Sequence, residues 1–192
     1  MQPAPRLVLA SASPRRRELL AVLGIPCRVV PSGLDERQLP GEDAAGFAER
    51  AARDKALAVA AAIDGLPVLG SDTVVEVGGM ALGKPVDEHD AVAMLRRLAG
   101  RVHHVHTGVA LATGERCESL VDTAAVRFLP LDDALIRWYV ATGEPMDKAG
   151  AYAIQGRAGA FATRLDGSYS GVMGLPLFET ADLLAKAGLA VL

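Results

Sequence analysis

Leu7-Val8-Leu9-Ala10-Ser11-Ala12-Ser13-Pro14-Arg15-Arg16-Arg17 runs from a short apolar strand straight into a helix start. Serine is favoured just before a helix and proline at its first position. Ser13 and Pro14 therefore predict a helix that buries Leu19, Leu20 and Leu23 and closes at Gly24. Three arginines crowd its first turn. That end of a helix carries partial positive charge and unpaired N–H groups, so cations there are unfavourable unless an anion sits among them. A strand, a hydroxyl-rich turn, a helix N-terminus and bidentate donors together point to a phosphate site. The competing reading is three solvated arginines on a surface helix.

The chain has 192 residues, of which 51% are hydrophobic and 22% charged, which suits one domain over residues 1–192 with a substantial core. A formal net charge of −3 argues against broad nucleic-acid binding, so any basic site must be local. Cys27 and Cys117 form no C-x-x-C pair, and neither a disulfide framework nor a zinc ribbon is expected. The opening MQPAPRLVLAS lacks an export signal, and the longest apolar run, residues 56–63, is too short to span a bilayer. The expectation is a cytoplasmic protein with neither a membrane nor a nucleic-acid partner.

Beyond the first helix, residues 27–30 read as a strand and 32–40 as a loop carrying Asp35 and Glu36. Glu42 or Asp43 then opens an alanine-rich helix to about Ile63, whose apolar stripe of Ala48, Ala52 and Val59 also takes in Lys55. A lysine there either snorkels to water or serves a function. Residues 67–77 are the most strand-like, and Gly78-Gly79 can turn them into a second arm over 80–84. A helix follows from Asp87 to Gly100, then strands over 104–112 and 121–128 joined through Thr113-Gly114, and a helix over 132–141. After Thr142, frequent glycines punctuate short strand-like runs before a last helix over about 177–186.

Asp72 interrupts the 67–77 strand between Val68-Leu69 and Val74-Val75, where a carboxylate must be paired, hydrogen-bonded or bound to metal. Lys84 is the nearest candidate partner. A bulged glycine turn puts the two on one face; a plain two-residue turn puts them on opposite faces. The G-x-x-x-x-G-K spacing over 78–84 is not a P-loop, because Pro85 supplies neither hydroxyl nor N–H and no helix follows at once. His104 and His106 share a strand face beside His103, but no third ligand stands at a sensible spacing, so the structural reading is preferred. No G-x-S-x-G elbow supports a serine nucleophile. Gln155 lies in the run Asp147–Gly156, and its amide suits the adjacent acceptor and N–H of a uracil or thymine edge; the bland alternative is a surface strand residue.

Six segments together resemble the Maf family of nucleotide pyrophosphatases, in order and over nearly the whole chain. They are SASPRR at Ser11, A-R-x-K-A over 52–56, GSDTVV at Gly70, LGKP at Leu82, DKAGAYAIQG at Asp147 and GSYSGVMGLPL at Gly167. The resemblance implies a mixed α/β fold of the inosine-triphosphatase-like type: a twisted sheet with flanking helices, and two lobes around a central cleft, commonly as a homodimer. It implies hydrolysis of a nucleoside triphosphate to the monophosphate and pyrophosphate with a divalent cation, Mg²⁺ or Mn²⁺. The branch carrying DKAGAYAIQG acts on dTTP and UTP, a sister branch on 7-methyl-GTP.

By motif position, Asp72 matches the catalytic carboxylate, and Arg15, Thr73 and Gln155 match positions associated with substrate choice. Arg16, Lys55 and Lys84 are then expected on the phosphates with Ser11 and Ser13, and Glu36 with Asp72 beside the metal. Asp72 acts either as the base for the attacking water or as a ligand of the cation. Arg17 matches no functional position and fits the solvated reading. The alternatives are a 7-methyl-GTP pyrophosphatase and a non-catalytic nucleotide-binding regulator, the latter from the family's association with septum inhibition.

Overall fold

Leu7–Leu9 (β1) is wholly apolar and buried, as a strand flanked on both edges must be. It pairs parallel with Cys27–Val29 (β2) on one edge and with the start of Val68–Val77 (β3) on the other. Helix Pro14–Val22 (α1) connects β1 to β2, and Ala44–Ala60 (α2) connects β2 to β3. From β3 onward the pairing is antiparallel, through Met80–Leu82 (β4), Val102–Thr113 (β5), Arg116–Phe128 (β6) and Ala162–Asp166 (β7). The result is a seven-stranded mixed sheet of order β2-β1-β3-β5-β6-β7, with β4 on β3. Helices Glu88–Leu98 (α3), Asp133–Val140 (α4), Tyr169–Met173 (α5) and Leu177–Lys186 (α6) complete it. This computed structural model describes residues 4–35, 37–63, 65–114 and 116–189. No described helix is long and apolar enough to cross a membrane.

Helix α2, capped by the Asp43 carboxylate on Gly46 N–H at 2.7 Å, lies directly on the backbone of β3 and β5. A Cβ on Gly70 would stand 2.2 Å from the Ala52 carbonyl oxygen, and one on Gly108 2.2 Å from that of Ala48. Only bare backbone under an alanine face permits this approach, and Ala48, Ala52 and Ala56 are fully buried. The opposite face carries a core of Leu7, Leu9, Leu20, Leu69, Leu175 and Leu184. Farther along the sheet, Val75, Leu95, Phe128, Tyr139, Tyr152 and Phe161 form a separate core under α3 and α4.

Three expectations are corrected. The second hairpin arm ends at Leu82 rather than Lys84, because Gly83 and Pro85 take the chain off the ladder. Strand β6 begins at Arg116, before the expected residue 121; its polar first half is carried by pairing with the apolar β5, which propensity alone does not reveal. The stretch after Thr142 holds 3₁₀ turns at Glu144–Asp147, Ala149–Ala151 and Arg157–Phe161, with only β7 as a strand and α5 unanticipated. Left-handed Gly143, Gly150 and Ala151 break any extended run there.

Two outcomes are expected. Gly108→Ala forces α2 off the sheet and should cost about 2 kcal/mol or more in urea unfolding; a loss within experimental error would mean that α2 is not held by this contact. His103 is fully buried, with Nε2 2.9 Å from the Tyr152 hydroxyl. Burial, aided by the charge of His104, pushes its pKa down to about 4. Its unfolded form takes up a proton below about pH 6.5 that the folded form refuses until about pH 4, so acidification destabilises the protein in that window. Asp122 acts with the opposite sign, because burial and then Glu179 raise its pKa to about 6. Comparison with His103→Gln isolates the histidine: between pH 7 and pH 5 the unmutated protein should lose about 2 kcal/mol more than the variant.

Candidate active site

Because β5 occupies one edge of β3, both β1 and β4 must share the other. The ladder with β1 ends at Leu69 and that with β4 begins at Val75, so residues 70–74 face no described strand on that edge. Asp72 sits in the middle of this opening. Alternation points Gly70 and Asp72 towards α2, and Ser71 and Thr73 to the other face. Lys55 lies on the sheet-facing stripe of α2, and its Nζ donates to Asp72 Oδ1 at 2.6 Å, with the two side chains 12% and 18% exposed. Lysine 55 therefore does not simply snorkel, and it, rather than Lys84, is the ion-pair partner of Asp72.

On the opposite face, Arg16 ties the site together. Its Nε donates to the Gly174 carbonyl at 2.9 Å, Nη1 to Ser11 Oγ at 3.1 Å and Nη2 to Thr73 Oγ1 at 3.1 Å. Thr107 Oγ1 spends its proton on the Gly171 carbonyl at 2.8 Å, so in the 3.1 Å contact between the two threonines Thr73 is the donor. Ser71 Oγ donates to the Gly174 carbonyl at 3.0 Å. Ser11 Oγ accepts from Arg16 and, at 3.2 Å, from Ser13 N–H, which leaves its proton to donate. Ser13 occupies the N-cap of α1 as expected, but its side chain makes no capping bond, so among the described residues no side chain caps the first-turn N–H groups.

A cleft of about 920 Å³ opens here, lined by Ser11, Ser13, Arg15, Arg16, Lys55, Asp72, Thr73, Lys84 and Gln155. All the expected site residues within the described segments are thus brought together; Glu36 lies outside them. Among the described residues, five cationic side chains (Arg15, Arg16, Lys55, Lys84, Lys148) face three carboxylates (Asp35, Asp72, Asp147) in this cleft. In a chain of net charge −3 the excess of cations is local, as anion binding requires. The glycine turn is the plain two-residue form, pairing Val77 with Met80. Lys84 nevertheless reaches the cleft because it lies beyond the ladder, where the Gly83 carbonyl accepts from Gly150 N–H at 2.9 Å.

Arg15 donates to Asp147 Oδ2 at 3.1 Å, and Lys148 Nζ binds the other oxygen of that carboxylate. Burial disfavours the charged form of Asp147, but the bonds from Lys148 and Arg15 outweigh it and hold the carboxyl below its usual range. Gln155 is exposed on a tight turn closed by Gly156 N–H on the Ala153 carbonyl at 3.0 Å, rather than on a strand. Arg17 is exposed and lies outside the cleft lining. Sequence reasoning assigned no part to Asp147, Lys148, Ser71 or Thr107; the one available signal was the Asp147-Lys148 charge pair heading a glycine-dense run.

Asp72 Oδ2 accepts no hydrogen bond among the described residues, and no described group of three or more His, Cys, Asp or Glu side chains is arranged to hold a metal. The oxygen donors of the cleft carboxylates are of the kind a hard divalent cation takes.

The architecture defines an α/β protein with a cation-rich cleft at an open strand edge. Its fold matches the Ham1 protein of Staphylococcus aureus with a TM-score of 0.54 at 14% identity, over 95% of this chain and 98% of that one. A HAM1 protein from Coxiella burnetii matches with a TM-score of 0.52 at 15% identity, over 95% and 100%. Within that class the sequence is more specific: residues 6–187 match the Maf-like protein family, and the chain belongs to it. A relative from Anaeromyxobacter dehalogenans (strain 2CP-C) named dTTP/UTP pyrophosphatase is 55% identical over 190 residues, 96% of this chain and 95% of that protein. Proteins of the same name from Geobacter sulfurreducens and Bordetella parapertussis are 53% and 52% identical, covering 95% and 97% of this chain and 97% and 95% of theirs.

Proposed function

We infer that this protein hydrolyses dTTP and UTP to the nucleoside monophosphate and pyrophosphate. The observation that carries this reading is the Lys55–Asp72 pair at the open edge of β3 in a cation-rich cleft. Full-length relatives named dTTP/UTP pyrophosphatase support the choice of substrate.

The triphosphate lies against the first turn of α1, where uncapped N–H groups, the Ser11 hydroxyl, Ser13, Arg15, Arg16 and Lys84 meet its charge. Lys55 holds Asp72 by Oδ1, which orients Oδ2 towards the water that attacks the α-phosphorus. The bond from water oxygen to the α-phosphorus forms as the α-phosphorus bond to the bridging oxygen breaks. Asp72 takes the water's proton, and pyrophosphate departs with the electron pair. A Mg²⁺ or Mn²⁺ ion would be held by Glu36 and, in the alternative in which Asp72 is a ligand rather than the base, by Asp72 as well; it would supply neutralisation of the phosphate charge and activation of the water. Gln155 presents a donor and an acceptor to O4 and N3–H of uracil or thymine. Thr73 has spent its proton on Thr107 and accepts from Arg16, so it acts on substrate choice through the placement of that arginine.

Pyrophosphate release from pyrimidine, purine and 7-methylated guanosine triphosphates, with Mg²⁺ or Mn²⁺, tests the assignment. dTTP and UTP should give the highest kcat/KM, and chelation of the metal should abolish turnover. Preference for a purine or for 7-methyl-GTP refutes the substrate reading, and tight binding without release refutes the enzyme reading. Asp72→Asn should still unfold cooperatively, at a lower temperature because Lys55 loses its counter-charge, and lower kcat by about a thousandfold or more at temperatures where it is folded; residual turnover above a tenth removes Asp72 as the base. Gln155→Ala should reduce the preference for dTTP over dCTP about tenfold while changing kcat little, because the amide reads the base and not the phosphates.

A further inference from the structure

Glu144 opens the first 3₁₀ turn after α4, yet its side chain is turned inward and only 17% exposed. Its Oε1 accepts from the Tyr139 hydroxyl at 2.9 Å, and Oε2 accepts from Arg157 N–H at 3.3 Å with the Arg157 guanidinium at 3.6 Å. The fully buried Tyr139 hydroxyl in turn accepts from Ala153 N–H at 3.1 Å. Both ends of the segment that displays Gln155 are therefore fastened to one carboxylate, Ala153 through the phenol and Arg157 directly.

Gly156 gives an independent sign of this contact. Its φ of −104° lies outside the left-handed region that favours glycine. Space favours it instead: a Cβ would stand 2.3 Å from Glu144 Oε1. The main chain of Glu144 makes a second link, for its carbonyl accepts from Lys148 Nζ at 2.8 Å, and Lys148 binds the Asp147 carboxylate that holds Arg15 at 3.1 Å. Arg15 and Gln155, which line the cleft from distant parts of the sequence, are thus referenced to the same residue.

We propose that Glu144 is a positioning residue for base recognition, setting where the Gln155 amide meets the pyrimidine. This rests on the reading of Gln155 given above. Without the carboxylate, the Tyr139 hydroxyl and Arg157 N–H lose their acceptor, and the 153–157 turn must be ordered when substrate binds. That cost falls on KM and on discrimination between bases. The phosphate chemistry at Asp72 does not pass through Glu144, so kcat is spared.

The test compares Glu144→Ala, Gly156→Ala, Gln155→Ala and the Glu144→Ala/Gln155→Ala double variant, reading kcat and KM for dTTP and dCTP beside thermal unfolding. Glu144→Ala should raise KM for dTTP about tenfold, hold kcat within about twofold, and lower the dTTP-over-dCTP ratio of kcat/KM. The double variant should have the same ratio as Gln155→Ala alone, since Glu144 acts through Gln155. Gly156→Ala keeps the carboxylate but displaces it, should move the same parameters in the same direction, and carries the test if Glu144→Ala does not fold. An unchanged ratio in a folded variant, equal losses for both nucleotides, or ratio losses that multiply in the double variant each overturn the proposal. If Gln155→Ala itself leaves the ratio unchanged, the Gln155 reading fails and takes this one with it; if Gln155→Ala lowers the ratio and Glu144→Ala does not, only the role of Glu144 falls.

Discussion

The contact of α2 with bare sheet backbone at Gly70 and Gly108 is the constraint from which the site follows. Side chains at those positions would stand within 2.2 Å of helix carbonyls, so the helix can lie this low only where the strands carry no Cβ. That depth is what lets Lys55 meet the short side chain of Asp72 at 2.6 Å. A helix lifted by a normal packing layer would leave the carboxylate half-buried and unpaired, a state that costs several kcal/mol for an uncompensated charge. The pair is thus a product of packing: the alanines of α2 and the glycines of the sheet place one charge so that the other can be tolerated.

The second determinant is topological. β1 runs parallel to β3 and β4 antiparallel to it, and both use the same edge. They approach from opposite ends and stop short of each other, leaving residues 70–74 without a described strand partner on that side. Chains that diverge from a sheet create a crevice, as at the switch points of open α/β sheets. Here the crevice receives the N-terminus of α1 from one side and the Gly83–Lys84 corner from the other. Asp72 stands in a strand despite the poor fit of aspartate there because its position has a ladder on one edge and the cleft on the other.

What was legible in the sequence divides along the same lines. Strand β1, the start of α1 at Pro14 and the helix starts near Glu42 or Asp43, at Asp87 and near residue 132 follow from local chemistry and stand close to where it puts them. Asp72 was legible as an anomaly, a carboxylate in an apolar run. Its partner was not, because Lys55 and Asp72 meet only through the depth of α2, which depends on glycines in two separate strands. The 3₁₀ turns between α4 and β7 were illegible for another reason: their shape is set by the hydrogen bond from Tyr139 to Glu144 and by left-handed Ala151, which no hydrophobic period signals. The first half of β6 looked like loop because its order comes from β5 across the ladder rather than from its own residues.

The three consecutive arginines show how helix geometry turns one local pattern into separate roles. Successive residues on a helix point about 100° apart, so Arg15, Arg16 and Arg17 cannot share a direction. Arg16 points to the sheet, where the Gly174 carbonyl and the hydroxyls of Ser11 and Thr73 engage its guanidinium. Arg15 points to the Glu144–Asp147 turn and meets Asp147. Arg17 points to solvent, where water screens its repulsion from the helix terminus. Each therefore escapes the unfavourable end of the dipole by a different route, and two of those routes cross the cleft. The hydrogen bonds that make Arg15 and Arg16 tolerable also fix them beside the N-terminus of α1, so under the proposed function both cations would meet a phosphate chain with little ordering left to do.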